Sequence, residues 1–298
     1  MQNRKINLSP FLLLLTAFIW GTAFVAQSVG MDYVTPFTFI CTRYLIGGVT
    51  LLLCMPLLSK LQRGSETGSK EQASHEKMRQ LILGGVSCGV VLFIASALQQ
   101  FGIMTTYVGK AGFITALYII FVPVIGIFLG KKSGISIWIG VVLAVLGLYF
   151  LCITDGLHFE TGDLCLFACA VMFSIHILVI DHFSPLTDAV KMSCIQFFVS
   201  GVLGGIFMLL FEQPQWSDIL QAAKPILYAG VLSSGAGYTL QIIGQRGMNP
   251  TVASLTLSME SVISVLAGMV LLHQMLTPRE ILGCVFMSAA IIIANVAG

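Results

Sequence analysis

Three ionisable side chains stand inside otherwise apolar stretches of this sequence: Arg43, Lys110 and Glu260. Within a bilayer such a group costs about 3 kcal/mol or more and faces a cavity or a partner. Arg43 keeps its charge in any setting, so it needs an anion or a shell of oxygen acceptors. That is the chemistry of holding a substrate carboxylate or phosphate. A structural tie between helix ends would satisfy it equally, and both readings stand. Glu260 is the acid nearest the middle of a stretch. It suits proton binding or contact with a substrate amine, and the alternative is a salt bridge to Arg43 or a hydrogen bond within the bundle. Lys110 has an aliphatic stem long enough to carry its ammonium to the surface.

Uncharged groups add to this set. Trp20 sits mid-stretch, away from the interfaces that Trp favours, and with Tyr44, Tyr118 and Tyr238 it can line a pocket or pack a core. Gln27, Gln99, Gln100, Gln196, Gln241 and Gln245 supply further polar groups. Gln99 and Gln241 are taken as substrate-binding, against the reading that such residues only tie helices together. His176, beside Ser174, is a candidate proton relay or a hydrogen-bonded packing residue. Pro123 interrupts the backbone ladder and fits a hinge or a discontinuous helix. The run Ser233-Ser234-Gly235-Ala236-Gly237 offers a small face, for close packing or for sliding. Asp181, His182 and His273 fall at stretch ends, where an interfacial role suffices. The eight cysteines form no CxxC, and no metal site is expected.

These residues are positioned by about ten apolar stretches, read as 9–29, 36–58, 79–103, 107–130, 135–153, 161–180, 188–211, 224–245, 250–273 and 278–297. Hydrophobic residues make up 57% of the 298 and charged residues 9%, far below the quarter or so typical of soluble domains. A bilayer core needs about 20 apolar residues of helix, so the chain is read as an all-α membrane protein of ten spans. The longest polar segment, Ser59 to Lys77, reads as a flexible loop. Arg4, Lys5, Lys60, Arg63, Lys70, Lys77, Arg79, Lys131, Lys132, Lys191 and Arg246 collect on one side, and Lys224 and Arg279 on the other. By the positive-inside rule both termini are cytoplasmic. The first stretch is too long for a cleaved signal and is read as a span.

An internal repeat is visible. A shift of 153 positions carries Leu13 onto Leu166, Ala17 onto Ala170, Cys41 onto Cys194, Gly48 onto Gly201, Val49 onto Val202 and Met55 onto Met208. The same shift sets Trp20 on Phe173 and Arg43 on Gln196. Two five-span repeats, 1–155 and 156–298, must then lie inverted in the membrane, an architecture common in secondary transporters.

Ordered motifs along the whole chain carry a family resemblance. They are Trp20-Gly21, Arg43, the run Gly109 to Tyr118 leading into Val122-Pro123, Lys131-Lys132, Gly140 with Leu146-Gly147-Leu148-Tyr149, Tyr238 with Gln241, Met259-Glu260-Ser261-Val262, and Gly283. In these the chain resembles the drug/metabolite transporter superfamily, and within it a two-copy EamA protein. Gln274 and Ser261 depart from common family choices. The resemblance implies a gradient-coupled metabolite carrier of the cytoplasmic membrane, usually an exporter. It also supports Lys110 as substrate-binding, and it leaves spans 5 and 10 at the periphery of a cavity built from spans 1–4 and 6–9.

Two outer-half cations and one midplane acid suit an amino acid, a related zwitterion or an organic anion. The expected partners are the lipid bilayer, that small molecule and protons, the chain acting as a monomer or weak dimer, with no cofactor and no nucleic acid. Two other classes compete with this reading. An intramembrane enzyme would have only Gly85-Val86-Ser87-Cys88 to recommend it, with no HExxH and no mid-span aspartate pair. An ion channel would need a filter or charged rings that the sequence does not supply.

Overall fold

A computed structural model describes residues 8–62, 72–106, 108–131, 134–152, 161–272 and 277–297. Among them there is no strand. Arg4, Lys5, Arg63, Lys70, Lys132, His273 and Gln274, and the middle of the segment read as a flexible loop, lie outside the described residues. The two ends of that segment are helical, since α2 (Pro36–Gln62) runs past Ser59 and α3 (Gln72–Ile103) begins before Lys77.

The helices run in order: α1 (Ser9–Met31), α2, α3, α4 (Val108–Ala116), α5 (Tyr118–Phe128), α6 (Ile135–Cys152), α7 (Thr161–Phe183) and α8 (Ala189–Phe211). After a short α9 (Trp216–Gln221) come α10 (Ala223–Leu227), a π-helix (Tyr228–Tyr238), α11 (Thr239–Gln245), α12 (Pro250–Leu257), α13 (Met259–Leu272) and α14 (Pro278–Ala297). Eight segments among the described residues are long and apolar enough to cross a membrane. The fourth joins α4 to α5, the seventh runs from α10 through the π-helix to α11, and the eighth starts at α12. The apolar parts of α6 and α14 are shorter, Ile135–Phe150 and Ile281–Ile293.

Local chemistry sets the helix starts. Pro10 opens α1, where its missing amide is not needed. Asp188 caps α8 by accepting from the Lys191 amide at 2.9 Å, and Asn249 caps α12 from Thr251. The α2 start is capped from far along the chain. The Glu212 carboxylate accepts from the amides of Phe37 (2.8 Å) and Thr38 (2.7 Å) and from the Thr38 hydroxyl (2.7 Å). An anion at a helix N-terminus is favoured by the aligned peptide dipoles, and this one fastens α8 to α2, along which it packs.

Lipid is as apolar as leucine, so helices associate here by close packing, and small residues mark the crossings. A Cβ added to Gly21 would fall 2.6 Å from Ile263 Cβ and 2.7 Å from the Glu260 carbonyl. Gly21 therefore lets α1 lie directly against the start of α13. Gly147 does the same between α6 and α14, where a Cβ would meet the Gly283 carbonyl at 2.9 Å. These two helices pack chiefly on each other, beside the bundle formed by the rest.

Two membrane-length segments are broken part-way along. Leu117 separates α4 from α5 with φ/ψ of −59°/−9°, and Ser258 separates α12 from α13 with −63°/−9°. Each is a single residue of tightened helix. The sequence reading set the discontinuity of the fourth stretch at Pro123. The break falls upstream at Leu117, and Pro123 is buried within α5. Helix ends correspond between the halves, and the breaks do so to within one residue. A shift of 142 positions carries Ile103 at the end of α3 onto Gln245 at the end of α11, and Val108 at the start of α4 onto Pro250 at the start of α12.

Candidate functional site

A cavity of about 430 Å³ lies between the two halves of the chain. Its wall takes Trp20, Ala23, Phe24 and Gln27 from α1, Arg43 from α2, Gln99 from α3, Thr115 and Tyr118 from α4 and α5, Phe173 and Ile177 from α7, Ser233 and Tyr238 from the π-helix, Gln241 from α11, and Leu257 and Glu260 from α12 and α13. Corresponding positions recur in this wall. The 153-residue shift pairs Trp20 with Phe173 and Phe24 with Ile177. The 142-residue shift pairs Gln99 with Gln241, Thr115 with Leu257 and Tyr118 with Glu260.

One pole is cationic. Arg43 is 2% exposed. Its guanidinium donates to Gln27 Oε1 at 2.9 Å, to Ser233 Oγ at 3.3 Å and to Ser234 Oγ at 3.4 Å, and it lies 4.9 Å from the Tyr44 ring centre. Every one of these partners is neutral. Both serines come from the π-helix, whose wider winding is a frequent companion of functional sites. Trp20 Nε1 donates to the Ser233 carbonyl at 3.2 Å and so holds α1 to the same segment.

The other pole is acidic. Glu260 is 4% exposed, at the second residue of α13, just past the Ser258 break. The Tyr118 hydroxyl, from the first residue of α5 past the Leu117 break, donates to Glu260 Oε1 at 2.9 Å. The two broken helices thus touch through side chains at corresponding positions. No ion pair among the described residues involves Arg43 or Glu260, so the salt bridge weighed from sequence is absent. Both ionisable groups face one cavity without pairing with each other.

Of the residues singled out from sequence, Trp20, Arg43, Gln99, Tyr118, Tyr238, Gln241 and Glu260 line the cavity. Tyr44, His176, Lys110 and Pro123 do not. Tyr44 stands behind Tyr238 (ring centres 6.4 Å apart) and shares a 2.5 Å hydrogen bond with Ser96. His176 also backs Tyr238, at 5.8 Å, and its Nε2 donates to Gln196 Oε1 at 3.1 Å. The Lys110 ammonium donates to the Asp163 carboxylate at 2.6 Å, and Thr106 reaches the other oxygen at 3.4 Å. Asp163 is 2% exposed. The sequence reading passed over it because it lies two residues from the start of a stretch, where depth in the bundle is not legible. Gln27 and the Ser233-Ser234 pair stand out by type in the sequence, but their convergence on Arg43 does not.

One residue past Gln241 along α11, and one turn past Ile177 along α7 toward α8, Ile242 and Ile180 pack with Cys88 and Met192 in a fully buried apolar cluster.

A pocket walled from both halves of a membrane bundle, with each broken helix ending on it, is what a carrier requires. Family comparison decides the matter, for the EamA-like transporter family matches residues 7–153 and again 160–296. The chain belongs to the EamA-like transporter family. It is a multi-pass membrane protein and a transporter. Relatives agree in kind: an uncharacterized transporter of Archaeoglobus fulgidus is 27% identical over 287 residues, covering 95% of this chain and 84% of that one. The uncharacterized transporter YoaV of Bacillus subtilis is 26% identical over 283 residues, covering 92% and 91%. A solved crystal structure shares the fold with a TM-score of 0.72 at 19% identity, covering 97% of this chain and 96% of that one.

Proposed function

We propose that this EamA-like protein is a secondary transporter that moves a small zwitterion or organic anion, an amino acid or close relative, across the cytoplasmic membrane by alternating access, working as an exporter. The observation that carries this reading is a pair of ionisable side chains on one cavity, neither of them paired with an opposite charge among the described residues. Arg43 has only neutral partners, and Glu260 has only a tyrosine hydroxyl. Burying a charge without a counter-charge is expensive, and a ligand that brings the missing charges offsets that cost. A substrate carboxylate goes to Arg43, Gln27 and Ser233, and an ammonium to Glu260 beside Tyr118. Trp20, Gln99, Tyr238 and Gln241 complete the contact set. Lys110, spent on Asp163, is left out of it.

The topology proposed is ten spans in two inverted repeats, 1–155 and 156–298, with both termini cytoplasmic. The helices α6, of 18 residues, and α14, of 20, supply the two shorter spans. At about 1.5 Å per residue they reach about 27 and 30 Å. The matching breaks at Leu117 and Ser258 give each repeat a point at which to bend. The coupling group is Glu260, with His176 as the next choice and the proton as the coupling ion. Reconstitution into liposomes tests the class. Saturable counterflow of an amino acid is the expected result. Ion currents at channel rates, or hydrolysis of a substrate, would replace the carrier with a channel or an intramembrane enzyme.

A further inference from the structure

Among the described residues six glutamines are buried: Gln27, Gln99, Gln100, Gln196, Gln241 and Gln245. Four of them are spent on protein atoms. Gln27 accepts from Arg43 at 2.9 Å, Gln196 accepts from His176 at 3.1 Å, Gln245 donates to the Ile177 carbonyl at 3.5 Å, and Gln100 donates to Met31 Sδ at 3.3 Å. These are the helix ties that buried amides in membrane bundles commonly make. Gln99 and Gln241 are different. Each is more than nine-tenths buried, each lines the cavity, and neither makes a hydrogen bond among the described residues. Gln241 Oε1 is enclosed with no partner; Gln100, Gln196 and Gln245 each have one such atom as well, but are tied to the protein through the other atom of the amide.

The two also stand at corresponding positions. Leu98-Gln99 with Gly102 matches Leu240-Gln241 with Gly244 under the same 142-residue shift that aligns the helix ends. One amide enters the cavity from α3 and the other from α11, so the halves of the chain present the same group to the same space. A packing role accounts for neither, because a packing glutamine would have a protein partner as the other four do.

We infer that Gln99 and Gln241 form a paired amide subsite that hydrogen-bonds an uncharged polar group on the substrate. The transporter therefore selects zwitterions bearing a hydroxyl or amide over their apolar isosteres. This rests on the zwitterion reading and extends it to the substrate's side chain. Each amide offers two donors and a carbonyl acceptor. In the empty protein the enclosed Gln241 Oε1 goes unpaired, and water in the cavity can meet only the amide atoms that remain accessible. A bound ligand displaces that water and must replace its bonds. A hydroxyl or carboxamide does so. A methyl group of the same size leaves buried polar atoms unpaired, which is the strongest form of discrimination a pocket has. The surrounding wall of Trp20, Phe24, Phe173, Ile177 and Leu257 fits the carbon skeleton and rejects neither member of such a pair.

The test is equilibrium binding to the purified full-length protein in nanodiscs, using two near-isosteric pairs: L-threonine against L-valine, and L-glutamine against L-methionine. The polar member of at least one pair is expected to bind about tenfold to a hundredfold more tightly, the value of one unmade hydrogen bond to a buried group. Gln241→Leu and Gln99→Leu should each bring that ratio toward one, by weakening the polar ligand and strengthening the apolar one. The wild-type comparison needs no variant, so poor folding of either would not leave the question open. Equal binding within both pairs, or an apolar preference, overturns the inference and leaves the zwitterion reading standing. Failure of all four amino acids to bind removes that reading and the inference with it. A wild-type preference that survives in both folded variants overturns the assignment to these two residues.

Discussion

Truncation of Arg43 separates a substrate-binding charge from a structural tie. In the empty protein the guanidinium has three hydrogen bonds, all to neutral oxygens, at 2.9, 3.3 and 3.4 Å. Such bonds contribute about 1 kcal/mol each, while holding an unpaired charge out of water costs several kcal/mol. The two nearly cancel, so Arg43→Ala is expected to change unfolding stability by no more than about 2 kcal/mol. In the loaded protein the balance differs. A carboxylate at the guanidinium gains a charge-assisted hydrogen bond of about 1.5–3 kcal/mol, or about 10- to 150-fold in Kd. Arg43→Lys should fall between, because it keeps the charge and loses the planar fork that reaches Gln27 and the serines together. The assay pairs an amino acid with the amine that lacks its carboxylate, for wild type and variant, alongside thermal unfolding. The wild type should prefer the amino acid, and Arg43→Ala should bind the two alike. Equal loss of both ligands, or unfolding of the variant with the preference intact in its folded fraction, would make Arg43 a tie and refute the reasoning.

Three further outcomes are expected from the same geometry. Glu260→Gln keeps the shape and the acceptor for Tyr118 but holds the group neutral; it should retain substrate exchange across liposomes and lose uphill transport driven by a pH gradient, and uphill transport at wild-type rate would transfer the coupling role to His176. Lys110→Met should destabilise the protein in detergent by about 3 kcal/mol, since it removes the cation from the buried Asp163 carboxylate, and Asp163→Asn by less, since the Lys110 side chain is 27% exposed and can turn to solvent; the double variant Lys110→Met/Asp163→Leu should recover most of the larger loss, and a strictly additive double would show that the pair is not coupled. If the buried apolar cluster of Cys88, Ile180, Met192 and Ile242 closes one side of the cavity, it must open once per cycle of alternating access, so Cys88 should react with a membrane-impermeant maleimide from that side only during turnover, with Cys88→Ala marking the site; a rate indifferent to substrate would argue against opening there.

The membrane class and its helical character were legible in the sequence. In hydrocarbon every backbone amide and carbonyl must be paired within its own segment, so apolar run length reads directly as helix. Arg43 and Glu260 were legible for the companion reason, since a charge in such a run is too costly to be incidental. The Trp20 to Phe173 correspondence also came from the sequence, and both side chains line the cavity.

Tertiary structure decided the partnerships. These helices are apolar on all sides, so periodicity does not say which face meets lipid and which meets protein. Lys110 and Arg43 looked alike along the chain, yet one meets Asp163 and the other only neutral oxygens. The six buried glutamines were equivalent by type, and only packing spent four of them and left Gln99 and Gln241 open to the cavity. Pro123 carried the obvious signal for a break, but the chain bends at Leu117 and Ser258. Neither residue type announces a break; each stands next to the Tyr118–Glu260 contact, where two segments distant in sequence cross, and a crossing is not written in either segment alone.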